Sequence, residues 1–415
     1  MDSDSTDDTA EKSPEDAVTA SRPSSGRLLL RRLLMVLGSI VAGICAWLAL
    51  GTFVPGLPII GTIGSLLLPP LAGPFIVVGL VGAALAFTAA RLGVRRTGLT
   101  IALVGVLSSV GSAVVLIDHV VVGQANGADI RWWQTFLVRG PGVGESPPEQ
   151  VAYASNGDQT LKMEVYRPKG TTTGAPVLVY VHGGAFAFGI PSMQSANLRW
   201  FADNGFLVFG VEYTLGSPQD PNWDTAGPQV ACALRWLAEN AAGYGGDADR
   251  SFAYGESAGG ALVLNTAYAA AQGKATSWCG GTVPKLRAVA AEYPAVDPVG
   301  IYANPDLVIG PIVRSLSDRY LGGSPDAHPD RARAVSSITY VGPNAPPTLL
   351  FVADADHVVP VEGTLRFADA AKKAGVDIRT IRYRWADHTI NHQFYSAPNQ
   401  TMRQLMLRHF RDHGR

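Results

Sequence analysis

From Leu33 to Ala90 the chain carries no Asp, Glu, Lys or Arg, whereas from Asp129 onward charges recur every few residues. No single solvent suits both parts. A helix needs about 20 mainly apolar residues to cross the hydrocarbon of a bilayer, and 33–54, 71–90 and 99–117 each meet that need. The first run is longer than the apolar core of a cleaved signal peptide, and two more follow it. Residues 27–123 are therefore expected to form a membrane region with three transmembrane helices. The preceding residues 1–26 are Ser, Asp, Glu, Thr and Pro with little to bury, so a disordered tail is expected.

Arg27, Arg31 and Arg32 flank the first span, and Arg91, Arg95 and Arg96 lie between the second and third. Both places are expected to be cytoplasmic, and three spans then carry the rest of the chain across the cell membrane. The run 55–70, PGLPIIGTIGSLLLPP, is too short and too proline-rich for a span; as a span it would turn the remainder to the cytoplasm. Asp118 and His119 end the third span and are read as an interface anchor rather than an intramembrane functional pair. Residues 124–149, with Trp132 and Trp133 suited to a headgroup layer and a Gly/Pro run after them, read as a linker. A soluble domain, 150–415, should start near Gln150. The formal net charge is −1 with no long basic run, which excludes nucleic acid as an expected partner.

In that domain apolar runs of strand length alternate with amphipathic runs of helix length. TLKMEVYRP, APVLVYVHGG, LVFGVEYTL, LRAVAAEYPA, PPTLLFVADAD and DIRTIRYRW read as strands, the second nearly all apolar, as a strand buried on both faces would be. Helical spacing separates them: Val230, Leu234, Leu237 and Ala241 mark one helix, and a last helix is expected near 400–413. Alternating β and α elements imply an α/β fold with a doubly wound, mostly parallel sheet. Ligands of such sheets bind beyond the carboxyl ends of the strands.

Three loops at strand ends carry chemistry. AYGESAGGAL sets Ser257 in a Gly-x-Ser-x-Gly turn, Gly255 to Gly259, between a strand and a helix, where small neighbours let the backbone bend sharply and expose the hydroxyl. Taken alone, the motif is weak and a glycine-rich helix start is the simpler account; the strand-turn-helix context raises it above that. YVHGGAFAFG ends an earlier strand, and its glycines let backbone N–H groups approach a reacting carbonyl. Gly184 and Ala185, with the N–H of Ala258, form a candidate oxyanion hole, His182 and Gly183 shaping the loop. A serine hydroxyl needs a base, and the base needs a carboxylate. LLFVADADHVVP offers Asp354 and Asp356, and RYRWADHTINH offers His388 and His392. The order Ser, Asp, His is that of an α/β-hydrolase.

On HGGAF at 182–186, GESAGG at 255–260, DADHVVP at 354–360 and WADH at 385–388, the chain from about Gln150 onward resembles the α/β-hydrolase superfamily. Its nearest likeness is the carboxylesterase and lipase branch, hormone-sensitive-lipase-like or feruloyl-esterase-like. The resemblance implies an α/β-hydrolase fold with a small cap insertion, here 298–343, and a serine hydrolase needing no cofactor. It favours Asp356 over Asp354, because relatives carry an acid followed by two residues and Val-Pro or a close variant. Two departures stand out. Ala185 replaces a third glycine, and Glu256 replaces an Asp beside the serine, where it could tune substrate choice.

His388 follows its strand after two loop residues and is the expected base; His392 lies a turn further on, in a His-x-Phe context that some relatives use. Asp387 is expected to be an outward-facing neighbour. A metal site from Asp354, Asp356, His357, Asp387 and His388 is the weaker alternative, lacking fixed helical spacing, and no metal is expected. Phe186 and Tyr213 lead the candidates for an acyl pocket, with Phe188, Trp223, Tyr293 and Tyr302 behind them. Cys232 and Cys279, the two cysteines of the soluble domain, are expected to pair if it faces outward. The sum is a membrane-anchored carboxylesterase or lipase-like enzyme acting on a small-molecule or lipid ester through Ser257, Asp356 and His388. An acyltransferase, a peptidase or a silent binding module are the alternatives.

Overall fold

The computed structural model describes residues 25–140, 148–157, 159–170 and 173–414. The expected disordered tail lies outside the described residues except for Ser25 and Gly26, which begin the first helix.

Four helices come first: α1 (Ser25–Phe53), α2 (Ile60–Leu67), α3 (Ala72–Arg91) and α4 (Arg95–Ala125). Three runs are long and apolar enough to cross a membrane, Ser25–Phe53, Ile60–Arg91 and Arg95–Ala125. The run 55–70 does not form a span of its own. It turns back as a hairpin built from α2 and a 3-10 turn, Pro69–Leu71. Small residues let these helices touch: a Cβ on Gly79 would strike Ser109, and one on Gly64 would strike the backbone of Gly51. Hydrogen bonds add to this, Thr52 Oγ1 donating to Gly64 O (2.9 Å) and Ser109 Oγ to Ile76 O (3.0 Å). Close approach of small residues with side-chain hydrogen bonds is what holds helices together where water gives no hydrophobic drive.

Helix α4 is the element that ties the two parts of the chain. At 1.5 Å per residue its 31 residues reach about 46 Å, beyond the roughly 30 Å of hydrocarbon. The last turns lie against the sheet-bearing part. His119 was expected at a wet interface but is fully buried, packed edge-on against Tyr383 at 5.6 Å. The expected linker is also docked where it is described. Asp129 N donates to Gln404 Oε1, Arg131 N to Gln400 Oε1 and Phe394 N to Arg139 O, because two glutamines of the last helix satisfy backbone groups that would otherwise need water. Residues 141–147 of that linker lie outside the described residues.

The remaining elements are β1 (Glu149–Asn156), β2 (Gln159–Tyr166), β3 (Ala175–Val181), α5 (Ser195–Asp203), β4 (Leu207–Val211), α6 (Ala226–Asn240), β5 (Gly246–Glu256), α7 (Ala258–Ala271) and β6 (Ala288–Glu292). Then follow α8 (Pro298–Tyr302), α9 (Ile309–Leu321), α10 (Pro329–Val335), β7 (Thr348–Ala353), α11 (Val361–Lys373), β8 (Ile378–Tyr383) and α12 (Ala397–His413). The strands form one sheet in the order β1-β2-β4-β3-β5-β6-β7-β8. β2 runs antiparallel to both β1 and β4, and the pairs from β4 onward are parallel. Alternate residues of β3 feed two cores: Val177, Val179 and Val181 pack with α6, α7 and α11, while Leu178 and Tyr180 pack with α5 and α12. A strand buried on both faces explains the unbroken apolar run of its sequence. Helices α8 to α10 occupy the expected cap insertion. Cys232 on α6 and Cys279, after α7, are joined by a disulfide.

Candidate active site

The turn from β5 to α7 holds Ser257 at φ 52, ψ −119, a left-handed backbone that costs free energy for a residue with a Cβ. Its N–H donates to Glu292 O (2.9 Å) and its carbonyl accepts from Ala295 N (3.0 Å), so the neighbouring strand end fixes the bend. The bend closes because position 259 is glycine; a Cβ there would meet Val181 O at 2.0 Å. Strain is concentrated here. Of the six non-glycine residues with positive φ among the described residues, Ala185, Phe186, Ser257, Tyr293 and Thr389 all belong to this site, and Ile59 of the hairpin is the sixth.

His388 stands between a hydroxyl and a carboxylate. Its Nε2 is 2.9 Å from Ser257 Oγ and its Nδ1 is 2.8 Å from Asp356 Oδ2. Asp356 is held by two backbone donors, Val358 N (2.8 Å) and Val359 N (2.7 Å), both to Oδ1. Burial by itself lowers the pKa of His388, but the charge and hydrogen bond of Asp356, with Asp387 and Glu256 behind, outweigh it and leave the imidazole above its ordinary value. Asp354, the other candidate acid, turns away to pair with Arg382 at 2.8 Å. His392 lines the same cleft as His388.

Gly184 (φ 104) leads into the turn carrying Ala185, and a Cβ at Gly184 would lie 2.0 Å from Phe188 O. Gly184 O takes the N–H of both Ala187 and Phe188, closing the loop on itself. Among the described residues no acceptor takes the N–H of Gly184 or Ala185, so these donors stay free beside Ser257. Two cavities, about 50 and 280 Å³, meet at Ala185, Ser257, Val313, Leu316 and Val358. Phe186 lines the first, and Phe188 and Tyr293 line the second. Tyr213, Trp223 and Tyr302 line neither. Tyr213 was expected at the substrate and stands behind the loop instead: its hydroxyl donates to His182 O (3.1 Å) and its ring stacks on His182 at 4.3 Å.

Under the serine lies a buried carboxylate. Glu256 accepts from Tyr180 OH (2.7 Å) and Gln194 Nε2 (2.7 Å), and Tyr293 OH lies 3.0 Å from its Oε2. The Tyr293 ring meets His388 edge-on at 4.5 Å. Glu292 is buried beside this group, and burial together with the charge of Glu256 pushes its pKa well above the usual carboxylate range.

Asp387 is not outward-facing; it is 1% exposed and joins both functional loops to the α2 hairpin. Its Oδ1 accepts from the N–H of His357 (2.8 Å) and of His388 (2.6 Å). Its Oδ2 accepts from Ser65 Oγ (2.6 Å) and sits 2.5 Å from His357 Nδ1. Burial lowers the affinity of His357 for its proton, but Asp387, the Pro55 carbonyl and Asp306 more than reverse this and raise its pKa to about 9. Thr62 Oγ1 donates to Asp306 Oδ2 (2.7 Å), a second tie from the hairpin. No spacing announces this network, since Ser65 and Asp387 are 322 residues apart in the chain. Of the residues offered for a metal, His357 and His388 each take a different carboxylate and Asp354 an arginine, and no group of three or more His, Cys, Asp or Glu that could hold a metal occurs among the described residues.

A sheet of this order, with a serine elbow after β5, an acid after β7 and a histidine after β8, is one that sequence comparison can place. The model of BD-FAE, a feruloyl-esterase-like α/β-hydrolase family, matches residues 163–370, half of the chain. The chain belongs to the BD-FAE family. Similar curated proteins are human cocaine esterase, 37% identical over 120 residues (26% of this chain, 21% of that protein), and Arabidopsis thaliana "Probable isoprenylcysteine alpha-carbonyl methylesterase ICMEL1", 23% over 242 residues (56% and 49%). The chain thus spans about half or less of these relatives' lengths. Among solved structures, Thermogutta terrifontis esterase Est2 with propionate bound superposes with a TM-score of 0.52 at 23% identity, over 63% of this chain and 92% of that one. That likeness shows the fold. The family match ends before His388, so the part given to that residue rests on the distances above.

Proposed function

We propose that this BD-FAE protein is a membrane-anchored serine carboxylesterase. The observation that carries the reading is His388 bridging Ser257 Oγ and Asp356 Oδ2 at 2.9 and 2.8 Å beside two free loop N–H groups. Ser257 Oγ attacks the ester carbonyl carbon as His388 Nε2 takes its proton. The oxyanion sits on the N–H groups of Gly184, Ala185 and Ala258, where fixed dipoles act without reorganising. His388 returns the proton to the departing alcohol, and water then releases the acid from the acyl-enzyme by the same route. The two cavities meeting at Ser257 suit the acyl and alcohol arms of one ester. Asp356 keeps the imidazole in the tautomer that has Nε2 free to accept.

The experiment is fluorophosphonate labelling of the full chain in detergent, alongside hydrolysis of 4-methylumbelliferyl acetate. Labelling and turnover in the wild type, both absent in Ser257→Ala, are expected; equal labelling of the variant would overturn the reading. Product analysis with a competing alcohol or with an amide substrate separates hydrolysis from acyl transfer and from peptidase action. The reading also places the sheet-bearing part outside the cytoplasm. Supporting this are the arginines gathered at the opposite end of the helices and the disulfide between Cys232 and Cys279, a bond kept in oxidising compartments. Protease added to intact cells should remove a C-terminal epitope, and full protection would reverse the topology.

A further inference from the structure

We propose that the cleft takes its ester from the bilayer itself: a substrate whose hydrocarbon chain resides in the membrane, entering at the junction of the cap and the α1–α3 hairpin. The inference rests on the esterase reading above.

Three observations meet. Large apolar side chains exposed in the sheet-bearing part concentrate at the mouth of this cleft. Phe188 and Ile312 line it and reach solvent, Ile190 is exposed two residues after Phe188, Val299 is exposed next to Pro298 of the adjoining cavity, and Leu307 is 71% exposed just before α9. Grouped apolar exposure beside a cavity marks a contact surface for another apolar phase. The second observation is continuity with the membrane-side hairpin. Pro55 to Pro58 form one side of a hollow whose other side is Asn304 to Leu307 and the acid loop from Asp354 to His357. The Thr62–Asp306 hydrogen bond fastens that junction. Ile59, 52% exposed, follows Pro58 of that hollow on the hairpin. Third, the level is set by length. The apolar run of α1 from Leu33 to Phe53 spans about 32 Å at the helical rise, close to the roughly 30 Å of hydrocarbon. The hairpin that follows therefore sits at the edge of the hydrocarbon, and the rim fastened to it sits at the same edge. A chain leaving the bilayer there meets Leu307, then Ile309 and Ile312 of α9, which line the cavity holding Ser257 and His388. The apolar path would expose water to hydrocarbon if the ester had to be carried in from solution.

The test uses the full chain reconstituted in phosphatidylcholine vesicles, with 4-methylumbelliferyl palmitate dissolved in the membrane and 4-methylumbelliferyl acetate free in water. Leu307 and Ile190 line neither cavity at Ser257, so Leu307→Asp with Ile190→Asp should leave acetate turnover unchanged. Palmitate turnover should fall by roughly tenfold or more, since two carboxylates must then be held against hydrocarbon. Equal loss on both esters, or none on either, overturns the inference. If the variant does not fold, the wild type decides: acetate turnover without vesicle palmitate turnover overturns membrane delivery and leaves the esterase reading standing. Failure on both esters with no fluorophosphonate label overturns both.

Discussion

Replacing Asp387 by Asn should disable the site without touching any of its three candidate reacting groups. The carboxylate meets four donors, two backbone N–H groups at Oδ1 and Ser65 Oγ with His357 Nδ1 at Oδ2. An amide has one oxygen. If it faces the two N–H groups, its NH2 confronts His357, which must give up its proton. Asp387, with the Pro55 carbonyl and Asp306, holds His357 up at about 9, and breaking a buried ion pair by removing one partner costs roughly 3–5 kcal/mol. A loss of that size lowers the thermal midpoint of a chain of 415 residues by roughly 3–6 °C.

The pH dependence has a definite sign. A raised histidine pKa contributes stability that is complete below 6.5 and disappears as pH rises through about 9. The gap between wild type and Asp387→Asn should therefore be widest below 6.5 and narrow toward and above about 9. Reactivity should fall as well, because the single amide oxygen cannot serve both His357 Nδ1 and the 2.6 Å anchor of the His388 N–H, and a shift near 1 Å in a catalytic group can cost about a hundredfold. Fluorophosphonate labelling rates of the full chain measure this, with Ser65→Ala as an intermediate case losing one charged hydrogen bond of about 1.5–3 kcal/mol, and Ser65→Thr as its rescue. A labelling rate within about twofold of wild type, with a midpoint gap that does not vary with pH, would refute the reasoning.

His388→Ala should reduce the labelling rate by roughly 10⁴-fold or more, while His392→Ala keeps most of it; the reverse pattern in the same assay would make His392 the base. The wild-type rate should climb with pH through a value above the ordinary 6.5 of histidine, because Nε2 accepts a proton only when neutral. Asp356→Asn should cut the rate by about 10⁴-fold and move that inflection to lower pH, since it removes the charge that favours the imidazolium. Cys232→Ser opens a loop with a sequence separation of 47, which should lower stability by about 3–4 kcal/mol, read as a lower thermal midpoint matched by adding reductant to the wild type.

The parts legible in the sequence are those whose cause is local. Ser257, Asp356 and His388 follow apolar strands within a few residues, so strand periodicity alone delivers them to one edge of the sheet. The three apolar runs announce themselves by the absence of charge. β1 escaped because its face alternates poorly and its register shifts between Ala152 and Ala154. Tyr213 was misjudged because an aromatic near a strand end can face the cavity or the scaffold, and only the neighbouring His182 decides. Asp387 looked outward because it follows Ala386 in a short polar loop. What covers it comes from a helix hundreds of residues earlier, a contact that no local pattern encodes.

That contact also bears on why the chain has three long apolar runs of helix. The loop carrying His388 rests on several of them at once: Trp385 packs edge-on against Phe53 at the end of α1 (5.1 Å) and joins the cluster of Leu48, Leu68, Ala72 and Val115. Ser65 of the hairpin holds Asp387, α4 supplies His119 against Tyr383, and Asn126 just after α4 accepts from Arg379. A single span could tether the sheet, but it offers only one side of such a seat. With α1, α2 and α4 each touching β8 or the loop after it, the position of the histidine is set jointly by the sheet below Ser257 and by the helix ends. Freedom of the sheet relative to the helices would then act directly on the Ser257–His388 distance. The bundle is better understood as a wall of the site than as its mooring, and this is why Ser65, on the helical hairpin, belongs among the residues whose loss should slow the chemistry.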